Sequence, residues 1–350
     1  MVVTRITGTG SYIPPDIVTN DDLSHMVETS DEWIRTRTGI RNRHIAKNMD
    51  NSDMAACAAQ SAIENAGIDS SDIGLIIAAT STPDYSFPNL ASLVQSKVGI
   101  NGAVCFDISA ACTGFITALD IADAMLKKGT YGYALVIGSE KMSGIVNWKD
   151  RNVCVLFGDG AGAVILQADN IDDSYISSIK NTCINNVNSV ESSKMSETAY
   201  SGHIIDSDVH NDANKAMVLT GGRKDIRKDI CYGNDTYIHM NGQEVFRFAV
   251  RKVPETIETL LRRNNLKADD ISRFILHQAN VRIIEAVAKR LGVDIAGFPV
   301  NISEYGNTSS ASIPILLDEL NQKGELKKND KLVLAGFGAG LSWGSVLLEW

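Results

Sequence analysis

Cys112 is the group in this chain best placed for covalent chemistry. It follows the apolar stretch 103–108 and the small-residue turn 109–111, and it precedes a helical pattern that ends at Gly129. A cysteine at the start of a helix meets unpaired backbone N–H groups and the positive end of the helix dipole, and both favour the thiolate. We therefore predict a nucleophilic thiol with a lowered pKa. The alternative is a small apolar residue of the core, because free cysteine is among the residues most often buried.

The elements that must position Cys112 occur twice in the chain. Segment 270–275 echoes segment 72–77 at a separation of 198 residues, and Gly292 echoes Gly99 at a separation of 193 residues. Both segments read as buried strands, and each is followed by a helical pattern that ends at one of these glycines. The near-constant offset predicts an internal duplication, with two similar α/β halves packed as one body and sites at the seam between them.

The duplication brings two more polar side chains towards Cys112. An offset of 195 residues carries Cys112 to Asn307 in a second small-residue turn, and an offset of 198 carries position 79, a strand end, to His277. These three residue types suffice for acyl transfer, since a thiolate attacks a thioester and the other two can hydrogen-bond a developing oxyanion or enolate. Each has a plainer interpretation, because such a histidine is often structural and an asparagine beside glycine often serves a turn.

A cation-rich segment, 30–44, is a second candidate site. It places several arginines around one tryptophan, Trp33. Arginine suits phosphate groups and the indole offers a stacking face, so this composition predicts an anion site. The alternative is a solvated basic loop.

The composition narrows the class of protein. The chain has 350 residues, of which 44% are apolar and 21% charged, as is typical of a globular protein. The net charge of −9 argues against nucleic acid as a partner. No apolar run approaches the roughly 18 residues that cross a bilayer, so no membrane association is expected. Six cysteines without metal-ligand spacing and an N-terminus unlike a signal peptide predict reduced thiols, no metal site and a cytoplasmic location.

Several motifs, in the same order along the chain, resemble one known family. The chain resembles the thiolase-like condensing enzymes, and specifically the 3-oxoacyl-acyl-carrier-protein synthase III family, over nearly its whole length except about 170–235. The motifs that carry the resemblance are TSDEWIRTRTGIRNRHIA (29–46), AACTGF (110–115), FGDGAG (157–162), HQAN (277–280) and GNTS (306–309).

The resemblance implies a fold and a division of the chain. The fold would be the α/β thiolase-like architecture of five layers, αβαβα, built from two duplicated halves, and the protein would be a homodimer. Residues 1–170 would form the half with the nucleophile and residues 237–350 the half with histidine and asparagine. Residues 171–236, which are rich in Asn, Ser and Asp, would form a polar connector near the acyl pocket.

The resemblance also implies catalytic roles. Cys112 would be the acylated nucleophile, and His277 and Asn307 would assist decarboxylation of malonyl-ACP and stabilise the enolate. The backbone N–H groups of Cys112 and Ala339 would form the oxyanion hole. Ala339 stands where the family more often has glycine, which should matter little because only its N–H is needed.

Further residues are implied in binding. The nucleotide end of coenzyme A would be held by Trp33, Arg37 and Arg151. The acyl pocket would be bordered by Phe87, Met142 and Phe157, with Phe87 reaching it across the dimer interface. Arg282 would help to dock the acyl carrier protein, although a solvated helix face explains that residue equally well.

The implied reaction has two steps and needs no metal or redox cofactor. An acyl group moves from acyl-CoA to the cysteine, and malonyl-ACP then loses CO2 and attacks the acyl-cysteine to give 3-oxoacyl-ACP, which starts type II fatty acid synthesis.

The sequence leaves the identity of the primer acyl group open, because segment 170–235 looks longer than is usual in the family. A condensing enzyme of a secondary-metabolite pathway with a non-acetyl donor is an alternative. A non-decarboxylating acyltransferase of the same fold and a cysteine hydrolase are further alternatives. A binding or scaffold role would not explain the three matched polar residues.

Overall fold

The computed structural model describes residues 2–170, 202–221 and 237–350. Most of the predicted connector 171–236 therefore lies outside the described residues. Within the described ranges, no helix combines the length and the apolar character that crossing a membrane requires.

The N-terminal half is built on a mixed sheet of five described strands. These strands are β1 (Val2–Tyr12), β4 (Ile73–Ala79), β5 (Val104–Ile108), β6 (Tyr133–Glu140) and β7 (Gly160–Asn170). They lie in the order β1-β7-β6-β4-β5, with β4 parallel to both β5 and β6 and with β7 antiparallel to β6 and β1. Two short strands, β2 (Asp16–Thr19) and β3 (Asn42–Ile45), pair with each other outside this sheet.

The C-terminal half repeats this order. Its sheet contains β8 (Ile204–Asn211), β11 (Arg273–Leu276), β12 (Lys331–Gly338) and β13 (Ser342–Glu349). The order β8-β13-β12-β11 matches β1-β7-β6-β4, and β11 and β12 are parallel as β4 and β6 are. A short separate pair, β9 (Leu219–Thr220) and β10 (His239–Met240), lies between β8 and the rest of this half in sequence.

Strand β8 corrects one boundary expected from the sequence. It lies inside the segment 171–236 that was expected to be a connector, yet it pairs with β13 and occupies the place that β1 has in the first sheet. The second half therefore begins before residue 237. Asp206 and Asp208 interrupt the apolar alternation of this strand, and both form ion pairs with Arg263.

The helices within the described ranges complete the layers. They are α1 (Asn20–Ser24), α2 (Asp31–Thr38), α3 (Asn51–Ala66), α4 (Leu90–Val98), α5 (Gly114–Lys127), α6 (Gly242–Arg263), α7 (Val281–Leu291), α8 (Ile302–Tyr305) and α9 (Ser312–Gln322). The central helices α5 and α9 share one apolar core with residues from both sheets. Helices α3 and α4 cover the outer face of the first sheet, and α6 and α7 cover that of the second. The predicted five-layered αβαβα fold is confirmed.

Segment 30–44 is more regular than the loop that was considered as its alternative. The Ser30 hydroxyl accepts the N–H of Trp33 and caps α2, and Gly39, at φ 83°, ends the helix in the left-handed region. Glycine adopts this conformation at no steric cost, which explains the stop. The helix fixes the spacing of the aromatic and cationic side chains of this segment.

Matching turns open the two central helices, and they correct the predicted offset. The 3-10 turn Ala111–Thr113 precedes α5, the turn Ser309–Ala311 precedes α9, and both begin in the left-handed region, at φ 47° and φ 52°. Residues 111 and 309 are 198 apart, so Cys112 corresponds to Ser310. The offset of 195 was intermediate between separations of 193 and 198, which differ because the loops of the two halves differ in length. It therefore pointed to Asn307, which lies just before the second turn. The offset of 198 that led to His277 agrees with the turns.

Candidate active site

One cavity of about 1770 Å³ reaches from the surface at Trp33 to the seam between the two halves. Cys112, His277 and Asn307 all line it, and all three side chains are buried. The structure therefore brings together the three polar groups that were expected to act as one site.

Cys112 lies in the turn ahead of α5, where its thiol donates a hydrogen bond to Ser309 Oγ at 3.4 Å. Burial raises the pKa of this thiol to about 12, with the charge of Glu140 acting in the same direction. The expectation of a lowered pKa is therefore wrong for the resting site. A helix dipole favours the thiolate by at most about 2 kcal/mol, and removal of an ionised group from water costs more than that.

Asn307 is held by the backbone of the segment around Phe157. Its N–H donates to Leu156 O at 2.8 Å, and its carbonyl accepts the N–H of Gly158 at 3.1 Å. The side-chain Oδ1 accepts the N–H of Ser309 at 2.8 Å. This bond fixes the orientation of the amide, so its NH2 group is the part that can donate into the cavity.

His277 follows β11 at the end of the second sheet. Its N–H donates to Ala335 O at 2.8 Å, which continues the pairing with β12. The ring packs edge-on against Phe337, and Nδ1 lies 2.7 Å from Ser312 Oγ. Burial lowers the pKa of His277 to about 3, so the imidazole is neutral at physiological pH.

The segment after β12 approaches Cys112 closely. A Cβ atom on Gly338 would lie 2.9 Å from the backbone N of Cys112, so only glycine fits there. Ala339 lines the cavity, and its carbonyl accepts the Ser342 hydroxyl at 2.8 Å. The Ser342 Oγ is also 2.6 Å from Thr113 Oγ1, which links this segment to the cysteine turn.

The three side chains of the predicted nucleotide site lie against one another. The guanidinium carbon of Arg37 lies 4.6 Å from the centre of the Trp33 ring, and that of Arg151 lies 4.7 Å from it. Arg151 also donates to Glu28 O at 2.8 Å. Trp33 and Arg37 line the cavity, and Arg151, which is not part of the lining, lies over the same indole ring, so that two cations and an aromatic face could meet a nucleotide there.

Of the residues expected at the acyl pocket and at the docking surface, two line the cavity and two do not. Met142 and Phe157 are buried and line the cavity. Phe87 and Arg282 are absent from the described lining, and Phe87 is 86% exposed. Arg282 is exposed near the start of α7. The cavity of a single chain therefore includes neither of these two residues.

Sequence reasoning missed three polar side chains around the site. Ser309 and Ser312 occur in the same small-residue turn as Asn307, and Glu140 ends the apolar strand β6. The sequence did contain a signal for Glu140, because a carboxylate at the end of an apolar, buried strand needs polar partners in the folded protein. The contact between Ser309 and Glu140 could not be foreseen from the sequence, because these two residues are 169 positions apart in the chain.

Two models of one protein family match the chain. The model described as 3-oxoacyl-(acyl-carrier-protein) synthase III matches residues 106–183, and the model described as the C terminal of the same synthase matches residues 261–350. The two matches include the cysteine turn, His277 and Asn307.

Known proteins are similar over nearly the whole chain. The β-ketoacyl-(acyl-carrier-protein) synthase III of Clostridium botulinum (strain Okra) is 46% identical over 349 residues, which cover 99% of this chain and 98% of that protein. The crystal structure of 3-oxoacyl-(acyl-carrier-protein) synthase III from Aquifex aeolicus has a TM-score of 0.85 at 41% identity, covering 99% of this chain and 100% of that chain. The priming β-ketosynthase of a polyketide biosynthetic pathway has a TM-score of 0.86 at 31% identity, covering 99% of this chain and 96% of that chain.

Proposed function

The chain belongs to the 3-oxoacyl-(acyl-carrier-protein) synthase III family, and we propose how its residues divide the reaction between them. It is an acyltransferase that starts fatty acid synthesis by condensing an acyl-CoA primer with malonyl-ACP, which yields 3-oxoacyl-ACP, CoA and CO2. The observation that carries the residue roles is the convergence of the buried side chains of Cys112, His277 and Asn307 on one cavity.

In the first step, Cys112 attacks the thioester carbonyl of acyl-CoA, the acyl group moves to its sulfur and CoA leaves. The N–H groups of Cys112 and Ala339 would bind the oxyanion of the tetrahedral intermediate. This assignment is supported by the close approach of Gly338 to the Cys112 backbone, which brings the two segments side by side. Fixed donors of this kind are among the strongest contributions to acyl transfer.

In the second step, His277 and Asn307 receive malonyl-ACP. Loss of CO2 leaves an enolate, whose oxygen would accept hydrogen bonds from the imidazole and from the Asn307 NH2 group. A neutral imidazole and an amide oriented through Oδ1 suit this role, because both can donate without first changing their charge. The enolate carbon then attacks the acyl-cysteine, and the product leaves with the carrier protein.

Binding of the two substrates would use different surfaces. We propose that Trp33, Arg37 and Arg151 hold the nucleotide end of coenzyme A at the mouth of the cavity, since their stacked arrangement suits a nucleotide. Arg282, exposed near the N-terminus of α7, would contact the acidic carrier protein. Met142 and Phe157 would border the acyl chain. No further cofactor enters this scheme, and the cytoplasmic location remains a prediction.

We also propose that the protein is a homodimer. Strand β5 forms one edge of the first sheet, and its residue Val104 is 43% exposed. An edge strand with an exposed apolar side chain is a template for pairing with a second chain. Phe87, which stands out from its own subunit, would then border the acyl pocket of the partner subunit.

A product assay tests the proposed function against its rivals. The protein is incubated with a panel of acyl-CoAs and with malonyl-ACP, and 3-oxoacyl-ACP is measured by mass together with released CO2. We expect both products in equal amounts, with the fastest donor identifying the primer. Acyl transfer without CO2 would indicate the non-decarboxylating acyltransferase, and free fatty acid alone would indicate a hydrolase.

A further inference from the structure

Glu140 is a buried carboxyl group that the roles proposed above do not use. It ends β6, and its side chain is fully buried. Its two oxygens contact hydroxyl groups and one backbone N–H from two separate segments, namely Thr80, Ser81, Thr82, Ser309 and Ser310. Several donors of this kind are what an ionised carboxylate needs once it is removed from water.

Two successive hydrogen bonds connect the Cys112 thiol to the Glu140 carboxylate through the Ser309 hydroxyl, and in both the donor is on the side of the thiol. The thiol donates to Ser309 Oγ at 3.4 Å, and the Ser309 hydroxyl donates to Glu140 Oε1 at 3.1 Å. The Ser309 N–H donates to Asn307 Oδ1, so the position of this serine is fixed on both sides. The Nδ1 atom of His277 is engaged elsewhere, 2.7 Å from Ser312 Oγ.

We propose that Ser309 and Glu140 form a proton relay, which receives the thiol proton when Cys112 is acylated and returns it when condensation frees the cysteine. The relay rests on the proposed role of Cys112 as the nucleophile. Because burial keeps the resting thiol protonated, its attack on a thioester at neutral pH requires a proton acceptor. Burial also raises the pKa of Glu140, which makes its carboxylate a stronger base.

The two steps balance in protons and electrons. In acylation, the sulfur forms a bond to the acyl carbon as the bond from that carbon to the CoA sulfur breaks, and CoA leaves as a thiolate that solvent protonates. The thiol proton passes to Ser309 Oγ while the Ser309 proton passes to the Glu140 carboxylate. In condensation, the enolate carbon bonds to the acyl carbon and the cysteine leaves as a thiolate. This thiolate recovers its proton from Glu140 through Ser309.

The charged groups near the relay are engaged with other partners within the described residues. Lys141 follows in sequence, but its Nζ donates to a backbone carbonyl, that of Met49, at 2.6 Å. Asp84 accepts backbone N–H groups at the start of α3, and Asp159 accepts the N–H groups of residues 46 and 143. The imidazole of His277 is neutral. Within the described residues, the Ser309 hydroxyl is therefore the group that joins the thiol to the carboxyl.

Two substitutions interrupt the relay at different points. Glu140→Gln keeps the size of the side chain and removes the base, while Ser309→Ala removes the hydroxyl and keeps the N–H that holds Asn307. The measurement is the single-turnover rate of acyl-Cys112 formation from the best acyl-CoA, by quenched intact-protein mass from pH 6 to pH 10. We expect both variants to be about 100-fold slower at pH 7, the size of a general-base contribution. The deficit should shrink by roughly tenfold per pH unit as hydroxide replaces the relay.

Ser310→Ala is the matched control. It removes a hydroxyl that also contacts Glu140 Oε1, at 2.9 Å, while the hydroxyl that touches the Cys112 sulfur stays in place. Loss of one such hydrogen bond should leave the acylation rate within about threefold of the wild-type rate at every pH. Thermal unfolding of all three variants confirms that each is folded at the assay temperature.

The outcomes separate the relay from the proposed function. A deficit in Glu140→Gln that is the same at every pH would mean a structural role and would overturn the relay. An equal loss in Ser310→Ala and Ser309→Ala would also overturn it. If the wild-type protein itself formed no acyl-cysteine, the nucleophile assignment would fail, and the relay with it.

Discussion

Burial determines the resting state of the residues that we propose as catalytic. Both Cys112 and His277 lose contact with water, so the pKa of the thiol rises to about 12 and that of the imidazole falls to about 3. Both groups are therefore neutral before substrate arrives. A neutral imidazole donates from Nε2 when its proton lies on that atom, and the Ser312 hydroxyl, 2.7 Å from Nδ1, must then donate to Nδ1 and give up its bond to the Ser309 carbonyl at 3.0 Å. The site thus depends on hydroxyl groups that set proton positions.

Asn307→Ala should separate the two half-reactions. The amide is expected to act on the enolate, so acylation of Cys112 should stay within about threefold of wild type while condensation falls by about 100-fold or more, as for loss of an oxyanion donor. Acyl-enzyme formation and its decay after addition of malonyl-ACP are measured on the same sample by mass. Equal losses in both half-reactions would show that our division of roles is incorrect.

The buried imidazole of His277 should also make folding stability depend on pH. Its pKa is about 3 when folded and about 6.5 when unfolded, so only the unfolded chain takes up this proton between those values. Stability is therefore lost as pH falls below about 6.5. Between pH 7 and pH 5 the free energy of unfolding should fall by about 2 kcal/mol more in wild type than in His277→Asn. Urea unfolding at both pH values measures the difference, and parallel pH curves would count against a neutral buried imidazole.

Among the secondary-structure elements, the paired turns ahead of α5 and α9 account for most of the geometry of the site. The sequence predicted that both turns exist, because small residues precede a helical pattern twice at a similar offset. It did not predict that Ser310, and not Asn307, corresponds to Cys112, since loop lengths differ between the halves. It also gave the wrong direction for the thiol pKa, because burial is a property of the packed halves that local sequence does not contain. Strand β8 was not predicted, because Asp206 and Asp208, which pair with Arg263, interrupt the alternation of apolar and polar residues that indicates a strand.

Gly338→Ala tests the contact between the end of β12 and the cysteine turn. The added Cβ would lie 2.9 Å from the Cys112 N and 3.1 Å from its Cβ, so one of the two segments must move. We expect acylation to fall by about 100-fold, because the oxyanion donors separate. Gly132→Ala is the control, since its Cβ would meet no atom within 4 Å, and it should leave acylation unchanged. Comparable rates for both variants would argue against an oxyanion hole at this contact.

For the whole molecule, the exposed edge of the first sheet is the basis of the proposed dimer. If two chains pair there, Phe87 of one subunit borders the pocket of the other. Light scattering after size exclusion should give twice the mass of the 37.8 kDa chain. Phe87→Ala should then change the relative rates with short and long acyl donors by about tenfold, the size of a pocket contact. A monomeric protein, or an unchanged donor profile in the variant, would contradict this arrangement.

The central claim is that Cys112 carries the acyl group between the two substrates, and the mass of the intact protein tests it most directly. Wild type and Cys112→Ala are each incubated with the preferred acyl-CoA and then given malonyl-ACP. We predict that only wild type gains the mass of one acyl group, that digestion places it on Cys112, and that it disappears as 3-oxoacyl-ACP forms. Condensation by Cys112→Ala, or an adduct on wild type that persists after malonyl-ACP is added, would contradict it.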